Sequence, residues 1–338
     1  MAILLTGQTA VSRSPQLLTS GGSAGLNTNE FFFYSNSPET LDSGDLADAG
    51  RFLNKATNLQ GTGQIYTWHE NKAGSTIKNC ILVYNPNSYA IKINITHQGL
   101  TINSDWSSDI NAWANYYTGT SSSLIVNANS YGNLFLRDIP NGRCFGIIAR
   151  VNIVQNGTTT PAPVTLWDLA YTSNSGGGTA FATADPNNRA RGSGAGFYAT
   201  VTCPAITPSS TDGTGVTLAA TSDTFSGSDC SYITDPSGST TGRLQGAFGQ
   251  QLSITVPIKN TSSTSKTYRI FMGSIGGSSY IFVNYSGTTV KYPDPTEHHL
   301  YIDVLEQVVP GNTTTNVSFS TVVPAMSATP YVIGVRTV

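Results

Sequence analysis

Charge is scarce in this chain. Asp, Glu, Lys and Arg make up 11% of its 338 residues, against roughly a quarter in ordinary soluble domains. Lys, Glu and Arg are also the residues that normally cover helices, so their scarcity argues against a helical protein. A basic excess is missing too: the net charge of −2 leaves no face for nucleic acid or acidic lipid. No apolar run approaches the ~18 residues of a membrane span. Cysteine is limited to Cys80, Cys144, Cys203 and Cys230. None forms a C-x-x-C pair and no His stands at finger spacing, which excludes a zinc finger. The start, Met1-Ala-Ile-Leu-Leu-Thr-Gly-Gln, lacks a basic n-region and an apolar run of signal-peptide length.

In place of charge the chain carries Ser, Thr, Asn and Gly, in runs such as Thr118–Ser123 and Asn260–Ser265. These are poor helix formers that suit strands and turns. The hydrophobic fraction of 38%, with 16 Tyr and 13 Phe, is enough for a core. Such a surface has little long-range repulsion and many hydrogen-bonding groups, which suits contact with other copies or with sugars. The composition looks extracellular, and six N-x-[ST] sequons fall at Asn94, Asn156, Asn260, Asn284, Asn312 and Asn316. The expectation is an extracellular or cell- or spore-surface protein without a recognisable signal peptide.

Strand-like runs recur between turn signals. Cys80–Tyr84 leads through Asn85-Pro-Asn-Ser88 into Ala90–Thr96, where Ile91, Ile93 and Ile95 alternate with polar residues. The same design returns at Leu252–Ile258, a turn opening on Asn260, and Thr267–Met272. Both hairpins put Asn first in the turn. They read as equivalent hairpins of two sheets or two subdomains. Asp105–Tyr117 holds the one expected helix, of a turn or two. The predicted fold is all-β: an antiparallel, jelly-roll-like β-sandwich with long Gly/Ser/Thr loops, as one large domain or two fused halves. The expected divisions are an N-terminal arm (1–25), one half (26–160) and a second half (161–338). Residues 155–163 are read as a crossover.

Residues 1–25 pair a short apolar strip, Ile3, Leu4 and Leu5, with a Gly/Ser-rich tether. Such a strip can add a strand to a neighbouring subunit, or fold back as an edge strand of its own domain. Cys80 and Cys144 sit in apolar runs and are expected as buried thiols. Cys203 and Cys230 flank turn-rich segments and are the better disulfide candidates, with intermolecular pairing also open.

Catalytic signals are thin. Gly21-Gly-Ser-Ala-Gly25 matches G-x-S-x-G, but a nucleophile elbow needs a strand before it and a helix after it. Glu297, His298 and His299, or Asp42, Asp45 and Asp48, could offer metal ligands, but read more simply as polar turns. Glu39, Glu70, Asp168, Glu297 and Glu306 are the carboxylates from which a glycosidase pair would have to come. No nucleophile, base and orienter can be assembled, so no enzyme activity, cofactor or metal is expected. Trp106, Trp113, Tyr116 and Tyr117 are the candidate sugar-stacking platform, with a buried aromatic cluster as the plainer alternative.

Tyr34-Ser-Asn-Ser-Pro-Glu39, Trp68-His-Glu-Asn71, Leu82-Val-Tyr-Asn85, Gly242–Phe248 and Val309–Thr313 resemble segments of large secreted or spore-surface β proteins of Gram-positive bacteria. The flexible arm, low charge and cysteines are also similar in architecture to bacterial spore-appendage subunits. That likeness implies assembly by donated N-terminal strands and disulfides. The expected function is therefore a self-assembling subunit of an extracellular filament, appendage or coat layer, whose partners are copies of itself. The alternative is a carbohydrate-binding or adhesive β-sandwich whose partners are surface glycans.

Overall fold

The computed structural model describes residues 1–104, 109–119, 121–173, 180–182, 191–208, 210–234, 240–292, 296–325 and 327–338. It is all-β and sandwich-like, with 57% strand and 5% helix. The chain divides into two compact units. The first comprises Met1–Asn27, Tyr198–Ser231 and Arg243–Val338; the second comprises Thr28–Phe197 and Tyr232–Gly242. The second unit thus interrupts the first in sequence, between the strands Ser23–Leu26 and Tyr198–Thr202.

Each unit buries two sheets against one another. In the first, the larger sheet runs Ile3–Leu4, Leu300–Val309, Lys266–Ser274, Tyr331–Thr337, Thr214–Leu218, Gln16–Leu18. Its partner runs Thr288–Lys291, Phe282–Tyr285, Thr314–Val322, Gln251–Lys259, Tyr198–Thr202, Ser23–Leu26. Alternate residues of Gln251–Lys259, namely Leu252, Ile254, Val256 and Ile258, enter the core with Ile270, Val304 and Ile333, as period-two burial requires.

The second unit repeats this plan. Its larger sheet includes, in order, Ser122–Val126, Ile91–Asn103, Cys144–Gln155, Gly61–Asn71 and Phe31–Ser35, and continues through Arg191–Ala195. The smaller runs Ser130–Ile139, Ile77–Asn85, Val164–Tyr171, Asn54–Leu59. Ile91, Ile93 and Ile95 point inward and share one core with Ile147 of the same sheet and Ile81 and Val83 of the other. For the strands common to both units, the order and sense match, down to a parallel pair at Phe31–Ser35 with Gly61–Asn71 and at Gln16–Leu18 with Thr214–Leu218. Ile3–Leu4, Phe282–Tyr285 and Thr288–Lys291 have no counterpart among the described strands of the second unit. One pairing departs. Val164–Tyr171 runs antiparallel to its neighbour, whereas Tyr198–Thr202, in the equivalent slot, runs parallel. The first follows both of its sheet partners in the chain, whereas the second follows Ser23–Leu26 and precedes Gln251–Lys259.

The paired hairpins carry one local device. Asn85 directs Nδ2 at the carbonyls of Tyr89, Val126 and Asn127, at 2.8, 3.1 and 2.9 Å, while Oδ1 accepts from Asn87 N at 3.0 Å. Asn260 directs Nδ2 at Thr264, Val309 and Pro310, at 2.8, 3.0 and 3.2 Å, and its Oδ1 accepts from Ser262 N at 3.0 Å. In both, one amide closes a five-residue turn and ties it to a second loop. Only a side chain with a donor and an acceptor can do both. Asn71 repeats the device on Ser75, Ile139 and Ala73.

The units do not divide at 160/161 as the sequence suggested. Val164–Tyr171 is needed beside Ile77–Asn85, with Leu82 opposite Trp167, so residues 155–163 cross between sheets of one unit. The Gly-rich stretch that follows also contributes a strand, Arg191–Ala195, paired with Phe31–Ser35.

Replacing Asn260 by Ala would leave several buried carbonyls without a donor, and Asn260 itself is buried. Each lost bond is worth about 1 kcal/mol and each stranded group more. Urea denaturation is expected to show a loss of about 2–4 kcal/mol. A loss below about 0.5 kcal/mol would remove the turn lock from the account.

Candidate functional site

Residues 1–18 form the feature that bears most on function. Ile3 and Leu4 pair with Glu306 and Leu305, and Leu5 N donates to Val304 O at 3.2 Å. Val11 and Ser12 pair with Tyr301 and Leu300 on the same strand. Gln16–Leu18 then runs beside Thr214–Val216, at the far edge of the same sheet. Inward residues of the arm, Ala2, Leu4 and Leu18, pack on the first unit's core, while Ile3 and Val11 face solvent.

The arm crosses from edge to edge in a few residues. Ser12 to Gln16 spans at most about 14 Å. A flat sheet would separate those edge positions by five strand spacings, about 24 Å. The sheet must therefore curl until its edges approach, with Arg13 at the crossing. Arg13 Nη2 lies 3.4 Å from Asp303, which also receives Arg336 Nη2 at 2.5 Å and Arg269 Nη1 at 3.4 Å. Burial alone would raise the Asp303 pKa, but the hydrogen bond and charge of Arg336, with Arg13 and Arg269, hold it below the usual carboxylate value. Beyond Leu18 the tether turns at Gly21 and Gly22, with φ of +96° and +76°. A Cβ on Gly22 would meet Thr202 O at 2.2 Å.

The remaining candidates fall elsewhere. Cys203 and Cys230 form no disulfide; all four cysteines are buried thiols. Their turn-rich flanks fold over the apolar core rather than along the surface, and both side chains belong to that core. Burial pushes the Cys203 thiol up to about 12 and raises that of Cys230 as well. Asn260, one of the sequons, is buried in its turn. The aromatic segment forms the helix Asp109–Thr118, whose Trp113 and Tyr116 are 0% and 2% exposed. The helix backbone lies directly on Gly99, where a Cβ would meet Ala112 O at 1.9 Å. Beneath it Tyr66 donates to Asp109 at 3.1 Å, Tyr116 donates to Gln64 at 3.1 Å, and Tyr66 stacks with Trp113. This is the buried aromatic cluster, closed to a sugar; Tyr117 is half-buried at its margin, and Trp106 lies outside the described residues.

A Ser, His and Asp do meet, which the sequence did not reveal. His69 Nε2 lies 3.1 Å from Asp168 Oδ2 and 3.3 Å from Ser35 Oγ, and Nδ1 lies 2.6 Å from Pro38 O. In a hydrolytic triad the acid holds one imidazole nitrogen and the serine the other. Here both share Nε2, and Nδ1 faces a carbonyl, so it carries a proton. Asn79 donates to Asp168 Oδ1 at 2.9 Å, and all four side chains are buried. The arrangement satisfies a polar core. Of the other carboxylates, Glu70 pairs with Lys72 and Glu306 with Arg269. Among the described residues no group of three His, Cys, Asp or Glu could hold a metal ion.

No protein-family model matches the chain, and no curated protein matches it. Similar solved structures include Lac15 from a marine microbial metagenome, at 9% identity and TM-score 0.13, covering 81% of this chain and 52% of that one. Fet3p, a multicopper oxidase that functions in iron import, is 7% identical with TM-score 0.11, covering 77% and 50%. A salicylate 1,2-dioxygenase from Pseudaminobacter salicylatoxidans is 7% identical with TM-score 0.11, covering 81% and 70%. The chain spans about half the length of the first two. At these scores none carries an argument about fold or chemistry.

One buried acid outside the arm sets a pH response. Asp229 Oδ2 accepts from Ala219 N at 2.7 Å, and its pKa is pushed up to about 7 by burial and by neighbouring Asp223. A raised folded pKa favours the neutral acid, so this stabilisation is complete below about pH 4 and is lost as pH rises toward 7. Asp229→Asn should flatten the fall in stability between about pH 4 and 7 in urea titrations. An unchanged slope would assign the pH response to other groups.

Proposed function

We propose that this chain is a structural subunit that assembles with copies of itself into an extracellular filament, appendage or surface layer, by exchanging residues 1–18 between neighbours. The observation that carries this reading is the arm's docking. It is held to Leu300–Val309 by two ladders of two residues, and to Thr214–Leu218 by one of three. Those ladders close both edges of a sheet that would otherwise offer unpaired N–H and C=O groups. An arm tied by short ladders and joined through Gly21 and Gly22 can leave its own edge and occupy the same edge of the next copy. The contacts are identical in either case, so exchange has little enthalpic cost. Each copy then gives an arm and receives one, and such a head-to-tail contact propagates unless a rotation closes it. The scarcity of surface charge allows copies to approach closely.

Ile3→Cys with Glu306→Cys places two thiols on directly paired residues, within disulfide reach. The native thiols are buried and do not compete. After concentration and oxidation of the full chain, a denaturing, non-reducing gel is expected to show a ladder of covalent multimers. Internally linked monomer alone, at every concentration, would overturn arm exchange.

A further inference from the structure

The outer face of the four-stranded sheet of the second unit is half covered. Phe52, Ala47 and Phe181 pack over Cys80, Leu82, Leu169 and Tyr171. Among the described residues no other segment packs over this face, and strand register fixes what it displays. Tyr131, Tyr84 and Thr165 form one cross-strand row; Asn133, Leu82, Trp167 and Lys55 form the next. The Tyr84 and Tyr131 rings lie 4.7 Å apart and those of Tyr131 and Trp167 6.4 Å apart. Tyr131 is 63% exposed, and Tyr84 and Trp167 are half-buried. Lys55 Nζ stands 5.2 Å from the centre of the Trp167 ring.

Three adjoining rings at a solvent-facing position are costly to leave in water and call for an occupant. Charge narrows what that occupant is. Lys78, on the same face, is neutralised by Asp138 at 2.8 Å. Among the described residues Lys55 has no ion pair, so the platform carries one uncompensated positive charge beside its rings. A nucleic acid would need many such cations. A sugar needs apolar ring faces for its C–H side, neutral amides and hydroxyls for its OH groups, and, where it bears a carboxylate, one ammonium.

We propose that Tyr84, Tyr131 and Trp167 stack the rings of an oligosaccharide carrying a uronic acid, with Lys55 pairing its carboxylate and Asn133 and Thr165 meeting its hydroxyls. The site does not depend on arm exchange, since it lies wholly in the second unit.

The test is calorimetric titration of the full chain with a hyaluronan hexasaccharide and with its carboxyl-reduced analogue. Saturable binding of the acidic hexasaccharide is expected, at least five-fold tighter than of the reduced one. Tyr131→Ala removes an exposed ring and should weaken binding at least ten-fold with the melting curve unchanged. Lys55→Gln should weaken the acidic ligand about five-fold and leave the reduced one unaffected. Absence of saturable binding overturns the site, as does full binding by Tyr131→Ala. Equal affinity for the two ligands, or a silent Lys55→Gln, overturns its acidic specificity.

Discussion

An open sheet edge is the constraint on which the rest of this structure depends. A row of unpaired backbone groups must be covered, or it will pair with another chain. Leu300–Val309 is long and buries Ile302, Val304, Leu305 and Val309 in the core, so it is an edge of the dangerous kind. The arm closes it, crosses at Arg13, and closes the opposite edge beside Thr214–Leu218. Closure by a tethered segment differs from closure by a permanent strand. The same geometry that protects the monomer supplies a transferable contact.

The asparagine turns answer the same demand at the ends of the strands. Where two loops meet, carbonyls face inward without a ladder to satisfy them. Asn71, Asn85 and Asn260 each place one amide among those carbonyls. The recurrence of this device in both units, together with the matching strand orders, points to two copies of one sandwich plan. In one copy the chain enters the slot of Tyr198–Thr202 from the other end, so that this strand lies parallel to Gln251–Lys259.

Much of the plan was legible in the sequence. Low charge and period-two runs indicated an all-β sandwich, and turns opening on Asn85 and Asn260 marked equivalent hairpins. The boundary between units was not legible, because Val164–Tyr171 follows a Pro/Gly stretch that looks like a linker, and only its register against Ile77–Asn85 shows where it belongs. Cys203 and Cys230 misled because turn-rich flanks mark exposed loops on average, while these fold over the core. Trp113 and Tyr116 misled for a related reason: a short helix can bury its aromatic face on a sheet when a Gly such as Gly99 lets it approach. Tyr131 and Trp167 are far apart in the chain and come together only across strand pairing, as do Ser35, His69 and Asp168. No spacing signal could have joined them.

Amide hydrogen exchange on the dispersed full chain tests the arm's role most directly. If the arm is transferable, residues 3–18 and the edge residues 300–306 should open together, at a free energy well below that of global unfolding. Arm amides that exchange only with global unfolding would make the arm a permanent part of its own sheet, and would contradict assembly by exchange.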